Sequence, residues 1–188
     1  VRQFLTGGET LLALAGPANR QGRAAGENVL GTRAVKDEGV IGSSVLKVFG
    51  LTAASTGPNE KQLKEKKLPF LKTYVHPSDH ASYYPNSVPL SMKLLFSPEG
   101  KIYGAQAVGA AGADKRIDVI AAALHFGGTV YDLEKLELCY APPYSSAKDP
   151  VNMLGFTAAN ILRGDVRPFY AEDLDRLDRT MVTLLDVR

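Results

Sequence analysis

Four of the eight tyrosines fall in two short, proline-braced stretches: Tyr83 and Tyr84 in ASYYP, Tyr140 and Tyr144 in YAPPY. A tyrosine presents an apolar ring together with an O–H that can donate to an anion such as a thiolate. Proline holds both pairs in loops rather than in a periodic core stripe. The hydroxyls therefore read as the lining of a site or an interface, against the blander alternative of packing at loop bases. A second candidate lies in LAGPANRQGR, where Pro17 opens a helical run that continues to about Leu30 and stops at Gly31. Ala15, Gly16 and Ala18 leave the first-turn N–H groups uncovered, a start that can receive an anion or a polarised carbonyl. On the residues alone, close packing of a small-residue helix is the stronger reading of that segment.

Other chemistries find little support. The chain has no GxGxxG opening a helix after a strand, no GxxxxGK[ST], no HExxH, no CxxC and no GxSxG. His76 and His80 stand four apart, but Pro77 puts them in a loop and no Cys or further His lies close by, so no metal site is expected. His125, near a helix C-terminus, complements the helix dipole as a structural residue. Cys139, the single cysteine, is flanked by Leu138 and Tyr140 without a basic neighbour and is expected to be a buried, inert thiol.

The 188 residues are 45% hydrophobic and 22% charged, the balance of a globular chain. Their apolar runs are too short and too interrupted to span a bilayer. A net charge of +2 gives no basic footprint for nucleic acid. One cysteine makes no internal disulfide, which fits a reducing compartment and a cytoplasmic location. Val1 stands in place of an initiator Met, and TMVTLLDVR (180–188) reads as a strand that stops without a partner, so the chain is expected to be open at both ends.

The elements that must position these residues follow from periodicity. SSVLKVFGLTAAS (43–55) reads as one strand. A turn through Thr56, Gly57 and Pro58 then enters a short basic helix with Asn59 as N-cap, Leu63 among its few apolar positions and its lysines solvated. LPFLKTYVH (68–76) is a second strand. Leu90, Met92, Leu94 and Phe96 alternate with Ser91, Lys93 and Leu95, and SPEGK turns the chain back into Ile102 to Val108 as a hairpin. Asp114 is the expected N-cap of a helix presenting Ile117, Ile120, Ala121 and Leu124 on one face. A last helix, to about Leu162, turns Val151, Leu154, Ala158 and Ile161 inward. GDVRPFYAEDLDRLDR, punctuated by Gly164 and Pro168, reads as a linker or docking segment. The fold class is α+β, an antiparallel sheet covered by helices on one side.

LAGPANRQGR, KVFGLTAASTG, HASYYP, KIYGAQAVG, DKRIDVIAAAL and YAPPYSSAKDPVN, in this order and at these separations, resemble the C-terminal third of the FAD-dependent pyridine nucleotide-disulfide oxidoreductases. The resemblance covers about residues 10 to 163. Within that family it is nearest to the group of coenzyme A-disulfide reductases, NADH oxidases and persulfide reductases. It implies that residues 1–37 end an FAD-binding domain, that 38–164 form the dimerisation domain of a homodimer, and that FAD and NAD(P)H are the cofactors of the full-length protein. Coenzyme A disulfide or a persulfide is the implied small-molecule substrate.

The same resemblance turns the packing reading of the first helix into a cofactor reading. Ala15, Gly16, Pro17, Ala18 and Gly22 match the helix whose amino end faces the flavin pyrimidine and stabilises negative charge on it. It also implies that tyrosines at Tyr84 and at Tyr140 or Tyr144 reach across the dimer to the partner's redox cysteine, with Tyr83 left open. The HxxxxE element of the glutathione reductase branch is not apparent, which fits a single-cysteine mechanism. The redox cysteine itself and the Gly-rich dinucleotide loops are absent from these residues, and Cys139 is not to be taken for the former. The 188 residues alone are therefore expected to be inactive. LDRTMVTLLDVR resembles the opening strand of a rhodanese-like domain, making 165–188 a linker and the first strand of such a domain in a reductase–rhodanese fusion. The alternatives are the same region of an NADH oxidase, or a purely structural association module.

Overall fold

The computed structural model describes residues 1–31, 39–178 and 180–185. A 15-residue helix, α1 (Ala15–Val29), is followed by strands β1 (Ser44–Val48) and β2 (Leu51–Thr56), helix α2 (Glu60–Glu65) and strand β3 (Leu71–Val75). The hairpin β4 (Leu90–Phe96) and β5 (Ile102–Gly109) precedes helices α3 (Ala113–His125), α4 (Val130–Lys135) and α5 (Pro150–Arg163). The five strands form one antiparallel sheet in the order β1-β2-β5-β4-β3. This is the α+β architecture expected from the sequence.

The core lies between one face of the sheet and the helices. Leu90, Met92, Leu94 and Phe96 of β4, with Ala105 and Ala107 of β5, meet Ile117, Ile120 and Leu124 of α3 and Val151, Leu154 and Ala158 of α5. Alternation along β4 turns Ser91 outward between Leu90 and Met92. On the opposite face Glu60 accepts hydrogen bonds from Lys72 at 3.3 Å and Lys93 at 2.6 Å and pairs with Lys64. Burial alone would raise the Glu60 carboxyl, but these lysines overcome it and hold its pKa at about 2. Lys72 and Lys93 of the sheet are thus ion-paired to Glu60, whereas Lys61, Lys64, Lys66 and Lys67 in and after α2 are exposed, as expected of a solvated face. The segment after α5 docks on the same face. There the Tyr170 hydroxyl donates to the Lys72 carbonyl, Tyr74 and Tyr170 meet edge to face at 6.0 Å, and Glu172 pairs with Lys72.

Several expectations need correction. Residues 43–55 are not one strand but a hairpin, in which Val48 sits opposite Leu51 and Phe49 takes φ +52° in the turn. Phe-Gly lacks the Asn or Asp that usually announces such a turn, so periodicity ran straight through it. Asp114 is not the cap of α3; Gly112 is, and Asp114 lies in the first turn, where its charge still complements the dipole. α4 was not anticipated, although Thr129 and Asp132 form a capping box at its start. Thr180 to Leu185 form a turn and irregular chain, since a single strand has no ladder to join here, while Asp186 to Arg188 lie outside the described residues.

The apolar faces of α3 and α5 leave no surplus surface for a dimer. They are already spent on the sheet, Ile117, Ile120, Leu124, Val151, Leu154 and Ala158 all being buried within one chain. The exposed apolar surface lies elsewhere, on Val45, Leu46, Leu51 and Val108 around the β1–β2 edge and on Phe49 at its tip, which is 97% exposed.

Candidate functional site

The two tyrosine stretches occupy separate connections. One runs from β3 to β4, the other from α4 to α5. Short hydrogen-bonded turns shape each, with the Tyr84 N–H donating to the Ala81 carbonyl and the Tyr144 N–H to the Ala141 carbonyl, both at 2.9 Å. The loops meet. The Ala81 N–H donates to the Ser145 carbonyl at 3.0 Å, and the Tyr83 and Tyr140 hydroxyls lie 3.1 Å apart. That hydrogen bond, ahead of desolvation, pushes the Tyr83 hydroxyl above the ordinary tyrosine range. When Tyr83 donates to Tyr140, the Tyr140 proton is free for a further acceptor.

The remaining tyrosines are placed differently. The Tyr84 ring packs edge to face on His80 at 6.0 Å, and Tyr144 stands out at 71% exposure. Of the positions singled out in the sequence, Tyr140 thus pairs directly with Tyr83, Tyr84 is anchored on its own loop, and Tyr144 projects beside them. Cys139, expected to be buried, is exposed. α4 ends at Lys135, and in the irregular chain that follows Leu138 packs toward the core, leaving its neighbour Cys139 outside.

His80 clamps the first loop. Its Nδ1 lies 2.9 Å from Asp79 Oδ2 and its Nε2 lies 3.2 Å from the Pro85 carbonyl, an arrangement that suits a ring carrying both protons. The bond to Asp79 raises the His80 pKa against desolvation. Burial would raise Asp79, but the Val88 N–H at 2.8 Å and His80 hold its carboxyl below the usual range. His76 is bonded instead to Ser91 Oγ at 3.0 Å. Among the described residues no group of three or more His, Cys, Asp or Glu side chains could hold a metal ion.

A pH dependence follows. His80 is raised in the folded chain, so its contribution to stability is complete below the ordinary histidine value of about 6.5 and fades as pH climbs through the folded pKa. Asp79 is lowered, so its contribution is complete above the ordinary value of about 3.9 and fades as pH falls through its folded pKa. The clamp is strongest between these limits. In an NMR titration of this chain the His80 ring should titrate above about 6.5 and return toward that value in Asp79→Asn. An unshifted His80 in the unaltered chain would contradict the clamp.

The second candidate is the start of α1. Leu14 is its N-cap and offers no side-chain hydrogen bond, and none of the helix residues is buried. A Cβ at Gly16 or Gly22 would meet nothing within 4 Å. Close packing inside this chain therefore does not account for the small residues Ala15, Gly16, Ala18 and Gly22. The first turn borders a recess formed with Gly39, Ile41 to Ser43 and His125, whose ring stacks on Phe4 at 5.7 Å.

A five-stranded antiparallel sheet backed by α3, α4 and α5, with two tyrosine loops joined by hydrogen bonds, defines an α+β domain. The chain belongs to the pyridine nucleotide-disulphide oxidoreductases, matching the dimerisation domain of that family over residues 43–150. A coenzyme A disulfide reductase of Staphylococcus epidermidis is 38% identical over 146 residues, 77% of this chain and 33% of that protein. Among solved structures, the reduced CoADR-RHD of Bacillus anthracis is similar with a TM-score of 0.92 at 49% identity, over 96% of this chain and 33% of that one. An NAD-dependent persulfide reductase from A. fulgidus gives a TM-score of 0.88 at 38% identity, over 94% of this chain and 32% of that one. The chain spans about a third of the length of these relatives. Among the described residues no helix is long and apolar enough to cross a membrane.

Proposed function

We propose that these residues are the dimerisation region of a flavoprotein that moves electrons from NAD(P)H through FAD to coenzyme A disulfide or a persulfide. The observation that carries this reading is the junction of the two tyrosine loops, with Tyr83 and Tyr140 sharing a hydrogen bond and Tyr84 and Tyr144 beside them, all exposed. In this reading the cluster faces the redox sulfur of a second copy and donates to its thiolate, the step in which a charge-assisted hydrogen bond is worth most. Two relatives at 38% identity, a coenzyme A disulfide reductase and a persulfide reductase, support the substrate class.

The start of α1 suits FAD. Its uncapped N–H groups, open glycines and absence of buried residues leave room for a ring carrying negative charge. Ala15, Gly16, Pro17, Ala18 and Gly22 are the residues that would border it. The flavin, when bound, supplies the electron relay; α1 contributes its backbone dipoles. Residues 1–37 then close the FAD domain, 38–164 pair the subunits, and 165–188 lead toward a rhodanese-like domain in a cytoplasmic enzyme. The 188 residues by themselves do not turn over.

Two copies should associate through the exposed apolar edge around Leu46, Phe49, Leu51 and Val108 together with the tyrosine loops. Sedimentation of this chain at tens of micromolar should give twice its 20.2 kDa mass. A well-folded monomer at that concentration would count against the pairing. Oxygen as the acceptor in place of a disulfide would mark the enzyme as an NADH oxidase instead.

A further inference from the structure

Arg116 belongs to neither tyrosine loop, yet it binds both. It sits in the first turn of α3, is 2% exposed, and donates from Nη2 to the Asp79 carbonyl at 2.5 Å, at the head of the first loop. From the same guanidinium Nη2 reaches Asp149 Oδ2 at 3.1 Å and Ser145 Oγ at 3.4 Å, and Nε reaches Asp149 Oδ1 at 3.4 Å, at the end of the second loop. Ser145 Oγ donates in turn to Asp149 Oδ2 at 2.5 Å. Asp149 is also the N-cap of α5, accepting from the Val151 N–H at 3.0 Å, so the same carboxylate ties the loop to the helix behind it. The backbone is built around the guanidinium. Gly112 takes φ +74°, and a Cβ there would come within 2.3 Å of Arg116 Nη1.

We infer that Arg116, through Asp149, is the positioning residue that fixes the two tyrosine loops against each other and so sets the placement of the Tyr83–Tyr140 pair; its catalytic consequence rests on the function proposed above. A planar fork with several donors reaches a carbonyl and a carboxylate in different directions at once. A lysine is a point charge on a flexible stem and cannot do the same. Such a bridge matters because a misplacement of about 1 Å in a reacting group can slow a step about a hundredfold.

The test uses three variants. Arg116→Lys keeps the charge and loses the fork. Asp149→Asn removes the charge but keeps a good N-cap, so α5 should still start at the same place. Ile120→Val trims a buried α3 core residue, makes no change to the polar bridge, and serves as the stability control. The tyrosine ring signals of this chain are followed by NMR, and the half-reactions of the flavoprotein carrying it by stopped flow. The Tyr83 and Tyr140 rings should shift in Arg116→Lys and Asp149→Asn and stay in place in Ile120→Val. The sulfur half-reaction should slow about ten- to a hundredfold in the first two variants only, with flavin reduction by NAD(P)H unchanged. Unmoved rings in both variants, or equal movement in Ile120→Val, overturn the positioning role. Rings that move without any slowing of the sulfur half uphold the positioning role and overturn the function proposed for the tyrosines.

Discussion

Gly155→Val should lower the stability of the chain by about 3 kcal/mol, the upper part of the range for overpacking a well-filled contact. Gly155 lies on the face of α5 that receives α4. A Cβ built there would be 2.5 Å from the Glu134 backbone nitrogen and 2.8 Å from the Leu133 carbonyl carbon. These are backbone atoms and cannot swing aside, so the branched side chain must push the two helices apart. Asn152, one turn earlier, donates to the Leu133 and Leu136 carbonyls at 3.0 Å, and the same displacement strains both bonds. For a chain of this size about 3 kcal/mol corresponds to roughly 6–12 °C in Tm. Gly26→Ala is the contrasting change. Gly26 lies in exposed α1 with nothing within 4 Å of its Cβ position, and alanine there should raise helix stability by up to about 1 kcal/mol. A thermal melt of the two variants checks both. A Gly155→Val chain melting within a degree of the parent would show that the α4–α5 contact yields more easily than its geometry indicates.

The contrast between these glycines bears on what the sequence could reveal. Periodic apolar residues announced β4, β5, α3 and α5, because each buries one face in the shared core and the spacing repeats long enough to be seen. α4 has six residues, only Val130 and Leu133 being buried, and its place depends on the gap at Gly155, twenty residues further on. No local pattern encodes that. The Phe49 turn escaped for a related reason: two strands of five and six residues with a tight link look like one longer apolar run.

At the site, the loops were legible from their prolines and tyrosines, but which hydroxyls meet was not. The bond from Tyr83 to Tyr140 joins residues 57 apart, and the loops carry no periodicity to set their approach. Arg116 leaves a trace in the sequence. It stands three residues after Ala113 and four before Ile120, on the buried face of α3, where a charged residue requires partners. Asp149 was similarly visible as a cap, with Pro150 after it and Asn152 three residues on. Its second task, holding Arg116, belongs to tertiary structure alone.

The other large effect concerns the tyrosines themselves. In the full-length flavoprotein proposed above, Tyr140→Phe should slow the sulfur half-reaction by about one to two powers of ten. A hydrogen bond to a charged group is typically worth about 1.5–3 kcal/mol, and about 1.4 kcal/mol is one power of ten in rate. Tyr83→Phe should have a smaller effect in the same direction, since it removes the neighbour that orients Tyr140 and not the donor itself. Tyr84→Phe and Tyr144→Phe distinguish whether the anchored or the projecting tyrosine supplies a second donor. Stability should change little in each case, because the ring remains and these hydroxyls lie at the surface.

Stopped-flow spectroscopy of that flavoprotein and its Tyr140→Phe variant separates the two halves of turnover and so tests the tyrosine cluster most directly. Flavin reduction by NAD(P)H should proceed at the same rate in both, since no tyrosine of these loops is expected to touch the nicotinamide. Reoxidation by coenzyme A disulfide or a persulfide should be at least about tenfold slower in the variant. Equal slowing of both halves, or an undiminished sulfur half in Tyr140→Phe, Tyr84→Phe and Tyr144→Phe alike, would contradict the account and leave the loops as structure only.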